Sequence, residues 1–241
     1  MSPRTVRVAC TQAEPAWLDL PAAVAKTCHL IAEASSRGAQ LVAFPECWIP
    51  GYPLWIWSRP LDFDLNLACW EHIQPLLKFN TIAQREEIHV AAWPSLTPHS
   101  GGGPDMWSMS AEGCQTLSRT YAIEANAFVL HCTAVVSSKG VEVHGTAGGA
   151  IMNAPGGGSS AIFGPDGRRL TEPVDDTAET ILYADLDMDA IHRTEMFADC
   201  TGHYSRPDLM RLVVDGDIKT AVLSHGDAER DATDDETALV V

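Results

Sequence analysis

With 241 residues and 46% hydrophobic content, the chain is long enough for one globular domain with a sizeable core. Its 32 acidic side chains outnumber 16 basic ones, and the formal charge of −16 argues against nucleic acid or an anionic membrane as partner, since both reward excess Lys and Arg. No apolar run reaches the roughly 18 residues of a membrane helix, Met1 to Thr11 lacks a signal-peptide hydrophobic region, and seven scattered cysteines without a Cys-x-x-Cys read as reduced thiols, so a soluble cytoplasmic protein is expected.

In chain order, Val6 to Cys10 reads as a first strand, followed by a helix from about Pro21 to Arg37 on which Val24, Cys28 and Ile31 share one apolar face. Gly38 is a helix stop, and Gln40 to Phe44 returns as a strand apolar enough for burial on both faces. Glu46 follows directly, where active-site groups of α/β sheets tend to sit. Next come a short strand at Leu65 to Ala68, a helix opening at Cys69 and running to about Gln84, and a strand from Ile88 to Trp93. A helix from Ala111 to Ala125 precedes a strand from Phe128 to Val136, completing a β-α-β alternation. Ser160 to Phe163, the turn Pro165-Asp166-Gly167, Arg169-Leu170 and Ile181 to Leu186 read as strands with hairpin punctuation. Gly101 to Gly103 and Gly156 to Gly158 lack the Lys-Ser/Thr of a phosphate loop and read as flexible turns. Residues 216–241, crowded with Asp and Glu, read as a disordered acidic tail behind a domain spanning 1–215.

Two short segments carry the chemistry. Phe44-Pro45-Glu46 closes a strand with a carboxylate, and Cys69-Trp70-Glu71-His72 opens a helix with a thiol. A helix N-terminus stabilises a thiolate, so Cys69 is the candidate nucleophile and Glu46 the candidate general base. Taken alone, a cysteine is more often a small buried hydrophobe, and the other six are read as structural. Glu71 is assigned to the helix dipole. His72 shares the Cys69 helical face without an assigned role, and Trp48, Trp55 and Trp57 suit either core or pocket lining. His131, Cys132 and His144 show no metal-ligand spacing, so no metal is expected.

Four blocks occur in a fixed order: Phe44-Pro45-Glu46 with Pro50-Gly51-Tyr52-Pro53; Cys69-Trp70-Glu71-His72 with Pro75 and Lys78; Ile88 to Pro94; and Gly202 to Asp208. In this order the chain resembles the nitrilase branch of the carbon-nitrogen hydrolase family, most closely fungal-type nitrilases and cyanide hydratases. The resemblance implies a four-layer α-β-β-α sandwich and a Glu-Lys-Cys triad without cofactor. It also implies a thiol attack on R–C≡N that gives a thioimidate and then carboxylic acid and ammonia. The lysine of such a triad lies on its own segment between the glutamate and the cysteine. Here Glu46 and Cys69 are 23 positions apart, and the 15 residues from Gly51 to Leu65 are too few for a strand-helix-strand unit of roughly 30. The sandwich is therefore expected to be incomplete, shortened near 58–66, without the lysine block.

The four lysines offer no evident substitute. Lys78 lies nine residues beyond Cys69, roughly 13 Å along a helix and on its opposite face. Lys26 reads as a solvated helix residue, and Lys139 and Lys219 have no assigned place. Three readings stay open: a nitrilase acting on a small nitrile, or a cyanide hydratase making formamide; an inactive shortened chain that associates with an intact paralogue; or a block missing only from the deduced sequence. The family forms dimers that extend into spirals, and His203, Tyr204, Arg206 and Pro207 suit subunit contacts, so a homo-oligomer or a hetero-oligomer is expected.

Overall fold

The computed structural model describes residues 4–55, 75–99, 106–149 and 152–214. Residues Met1–Ser205 form one compact unit, and the described residues 206–214 belong to a second. In that second piece Arg206 forms a bidentate pair with Asp208, and Leu209 N–H closes a turn on the Arg206 carbonyl. Residues 216–241 lie outside the described residues.

Among the described residues, the first unit contains two three-stranded sheets built on the same plan. Strand β1 (Thr5–Gln12), helix α1 (Leu20–Ser36) and strand β2 (Leu41–Ala43) form one β-α-β unit, with Val8 opposite Leu41 and Cys10 opposite Ala43 in parallel register. Helix α2 (Pro75–Ala83) leads to β3 (Ile88–Trp93); helix α3 (Ala111–Ala125) and β4 (Phe128–Thr133) complete the second unit, with Ile88 opposite Phe128. After helix α4 (Ser138–His144), β5 (Ala161–Phe163) joins β4 antiparallel. Strand β6 (Thr180–Asp187) runs antiparallel along the whole of β1, and α5 (Asp189–Glu195) follows it. The sheet orders are β2-β1-β6 and β3-β4-β5.

Strand alternation explains the layers. Val8, Cys10, Phe128, Leu130, Cys132, Ile162, Leu182 and Leu186 form the core between the sheets. Ala91, Trp93, Val129, Ala161 and Phe163 point the other way and pack on Ala111, Cys114, Tyr121 and Ala122 of α3. All six β4 residues are buried because each face of that strand meets a different layer. On the far side, Arg37 at the end of α1 lies over the Tyr183 ring of β6 at 5.2 Å, which puts α1 on the outer face of the first sheet. The order is thus α1, sheet, sheet, α3, the expected α-β-β-α arrangement.

Local chemistry sets the helix ends. Asp19 caps α1 by accepting from Ala22 N–H with Pro21 in its first turn, and Gly38 stops it at φ +80°. Ser110 and Ser137 cap α3 and α4, while Asn126 and Gly145 end them in the left-handed region.

Three expectations need correction. The α1 face that packs is Ala23 and Ala34; Val24 and Ile31 remain 47% and 45% exposed, and Cys28 is exposed too. The stripe of larger side chains points away from the sheet because small alanines let the helix approach it closely. Strand β2 is shorter than Gln40 to Phe44, and only Ala43 of its three residues is fully buried, because β2 is an edge in the described sheet. The regular strand β4 ends at Thr133, since the chain then leaves the ladder and makes single bridges, Ala134 to Ala13 and Val136 to Gly156. Helices α4 and α5 went unread because each is only seven residues long, too short for a periodic signal.

Candidate active site

Strands β1 and β2 run parallel, as do β3 and β4, and a parallel bridge from Ala13 to Ala134 joins the two sheets. All four strands therefore end on the same side. Glu14, Glu46, Ser95 and Ser137 leave the strand ends there, the side on which ligands of α/β sheets collect.

Glu46 stands three residues past β2, and its N–H donates to the Trp93 carbonyl at the end of β3, at 3.2 Å. That bond ties the end of the first sheet's edge to the second sheet. The residue is half-buried, and its Oε2 is shielded from solvent. Cys47 adopts φ +48°, turning the chain sharply. Trp48 then folds back, its ring 5.4 Å from Phe44 and its Nε1–H donating to Thr27 Oγ1 of α1 at 2.7 Å. Buried to 8% exposure, Trp48 belongs to the core, while Trp55 is 39% exposed and Trp57 lies outside the described residues.

The Pro50 to Pro53 block is a packing motif. Gly51 has φ +106°, and a Cβ there would stand 2.5 Å from the Trp17 ring. Tyr52 and Leu54 pack with Val136, Val141 and Met152 around Trp17, which seats the Glu46 loop on the segment after β4.

Sequence reasoning missed the network beside it. Glu14 Oε1 accepts from Trp17 Nε1–H at 2.8 Å and from both the N–H and hydroxyl of Ser137, at 2.9 and 2.8 Å. Lys26 donates to the Glu14 carbonyl at 2.7 Å and pairs with Glu179, so it is a partly buried tie and not the solvated residue expected. Only the Gln-x-Glu-Pro run marks this corner in the sequence, and nothing in it signals partners more than 100 residues away. Gln12, 0% exposed, likewise donates to the carbonyls of Asp175 and Ala178 and accepts from Ser160 N–H.

The Gly156 to Gly158 triplet is not a flexible turn. Gly156 and Gly157 have φ of +122° and +88°, and a Cβ on Gly157 would fall 1.7 Å from Ser95 Oγ. The glycines allow the chain to press against Ser95 and Leu96, whose N–H bonds the Gly157 carbonyl. Gly101 to Gly103 lie outside the described residues.

Cys69 and its neighbours Glu71 and His72 also lie outside them, as does Lys219. Of the other cysteines, Cys10, Cys114 and Cys132 are buried as expected; burial raises the Cys114 thiol to about 12 and holds that of Cys132 well above the ordinary range. Cys28 and Cys47 are exposed, because one lies on the open face of α1 and the other at a turn. The Cys47 thiol is raised by partial burial and by the Glu46 charge. Lys78 pairs with Glu124 at 2.6 Å, and Lys139 is exposed on α4. Lys26 and Lys78 are thus both committed to carboxylates. His131 is buried against Ser118, its Nδ1 2.8 Å from the hydroxyl, and His144 lies edge-on to Trp17, where burial lowers its pKa.

A cavity of about 280 Å³ opens at the other end of β3 and β4, beside Arg85, Glu86, Asn126 and Glu195. It is remote from Glu46, and its carboxylates are engaged: Glu86 with His89 and Tyr121, Glu195 with Arg85 and His192.

The sequence model for carbon-nitrogen hydrolases matches residues 7–64 and 66–196, so the chain belongs to the carbon-nitrogen hydrolase family. Within it the chain is of nitrilase type. It is 47% identical to an arylacetonitrilase of Hypocrea virens over 92% of this chain and 95% of that one, and 44% identical to one of Aspergillus kawachii over 90% and 94%. In structure it is similar to a carbon-nitrogen hydrolase from Helicobacter pylori, with a TM-score of 0.59 and 14% identity over 87% of this chain and 100% of that one. A Saccharomyces cerevisiae member of the nitrilase superfamily gives the same TM-score over 83% and 97%. The first alignment runs over 314 positions against a chain of 241, so at least 73 of its positions (314 less 241) face no residue here. The family match itself breaks at residue 65.

Proposed function

We propose that this chain is a nitrilase acting on an arylacetonitrile, with Glu46 as general base and Cys69 as nucleophile. The observation that carries the reading is the placement of Glu46, held by the Trp93 carbonyl at the end of the strands, in a chain whose family match resumes just before Cys69. Glu46 takes the thiol proton, and the thiolate attacks the nitrile carbon to give a thioimidate. Water adds, ammonia leaves and a thioester remains; a second water then releases the carboxylic acid and restores the thiol. The arylacetonitrilase relatives support an aryl-substituted substrate over cyanide.

The reaction develops negative charge at the former nitrile nitrogen and later at oxygen. Losing one donor aimed at such charge costs about 10²–10³ in rate. The break at residue 65 and the commitments of Lys26 and Lys78 support a chain that lacks the family lysine, and so a slow enzyme. The same break favours a second reading, in which the chain is inactive and binds an intact paralogue. Incubation with phenylacetonitrile, followed by intact mass and ammonia measurement, separates the two: a Cys69-dependent adduct supports the enzyme, and folded protein without adduct or ammonia supports the inactive partner. Adducts must be mapped by peptide, because Cys28 and Cys47 are exposed.

A further inference from the structure

Packed sheets normally lie about 10 Å apart. At one corner these two converge: Val135 N–H bonds the Ala13 carbonyl at 3.1 Å, and Ala13 pairs with Ala134. Just before that junction, Cys10 of β1 and Cys132 of β4 face each other from opposite sheets with their sulfurs 3.0 Å apart. Both are 0% exposed within the inter-sheet core. A disulfide needs roughly 2.05 Å, so about 1 Å of approach would join them.

We propose that Cys10 and Cys132 form an inter-sheet disulfide when the chain meets a low-molecular-weight disulfide such as oxidised glutathione. One cysteine thiolate attacks the small disulfide and expels a glutathione thiolate. The second cysteine thiolate attacks the mixed disulfide and expels the other glutathione. The two cysteines lose two electrons and two protons, and two reduced glutathiones carry them away. The closed core excludes the reagent, so exchange runs through molecules in which β1 and β4 have parted, and the re-formed core then shields the bond. The cross-link spans 122 positions and encloses the junction at residue 65. It restricts the unfolded chain and raises stability.

The test uses the full-length chain, oxidised glutathione and urea below the unfolding transition, an acid alkylation quench and peptide mapping without reduction. The proposal expects a Cys10 peptide joined to a Cys132 peptide with the loss of two hydrogens, faster as urea rises, absent in Cys132→Ser, and a higher urea midpoint for the linked form. Glutathione on the exposed Cys28 and Cys47 shows that the reagent was active. Cys10 and Cys132 recovered as separate alkylated peptides beside those adducts, or joined only to other cysteines, would overturn it. The wild-type map decides even where the serine variant fails to fold.

Discussion

The corner where β1 meets β4 and the edge at β2 both lie at the strand ends that carry the candidate site, yet they are built differently. At the corner, Gln12, Glu14, Thr133, Ser137 and Ser160 bind one another across the sheets, and Gly157 lies against Ser95 with no space for a side chain. At the edge, Glu46 follows a strand of three residues, and its N–H donates to the Trp93 carbonyl. Beyond it the family match breaks, at residue 65. The corner is therefore a densely bonded frame beside the candidate carboxylate, whereas the family match breaks in the stretch between Glu46 and Cys69.

If that division holds, substitutions at the edge change chemistry and substitutions at the corner change stability. The largest effect is expected for Glu46→Gln, which removes the base and lowers the rate of Cys69 acylation by about 10²–10⁴ while leaving the circular dichroism of the fold unchanged. A loss of structure instead would move Glu46 into the frame. Gly157→Ala puts a methyl group into Ser95 at positive φ and should cost about 3 kcal/mol in urea unfolding. A neutral result would show that the corner yields.

Cys47 offers a milder probe of the charge on Glu46. Because burial and that carboxylate both raise its thiol pKa, alkylation by iodoacetamide should rise only above the ordinary thiol range. Neutralising the charge in Glu46→Gln removes one of the two causes, lowers the pKa and speeds alkylation at a fixed pH; an unchanged profile would mean the two groups do not interact. The smallest effect is expected for Val24→Lys on the open face of α1, within about 0.5 kcal/mol of the parent. A larger loss would show that this face is covered in solution.

Much of the fold was legible from local pattern. Apolar pattern and turn signals located β1, β3, β6 and both long helices within a residue or two, and the Ala111 to Ala125 helix matches at both ends. The packing face of α1 was not legible, because a period of larger apolar residues outweighs a period of alanines on any hydrophobicity scale, while packing selects the smaller ones. Nor were Lys26, Glu14 and Gln12, whose roles depend on partners brought together only when the sheets join. Of the candidate pair, the strand-end position of Glu46 was readable from the apolar run before it.

The most direct test is intact mass spectrometry of the chain after phenylacetonitrile, beside Cys69→Ala, with the modified peptide mapped. The account predicts an adduct on the Cys69 peptide, absent from the variant, with ammonia released slowly. Folded protein that stays unmodified at Cys69 and releases no ammonia would contradict it.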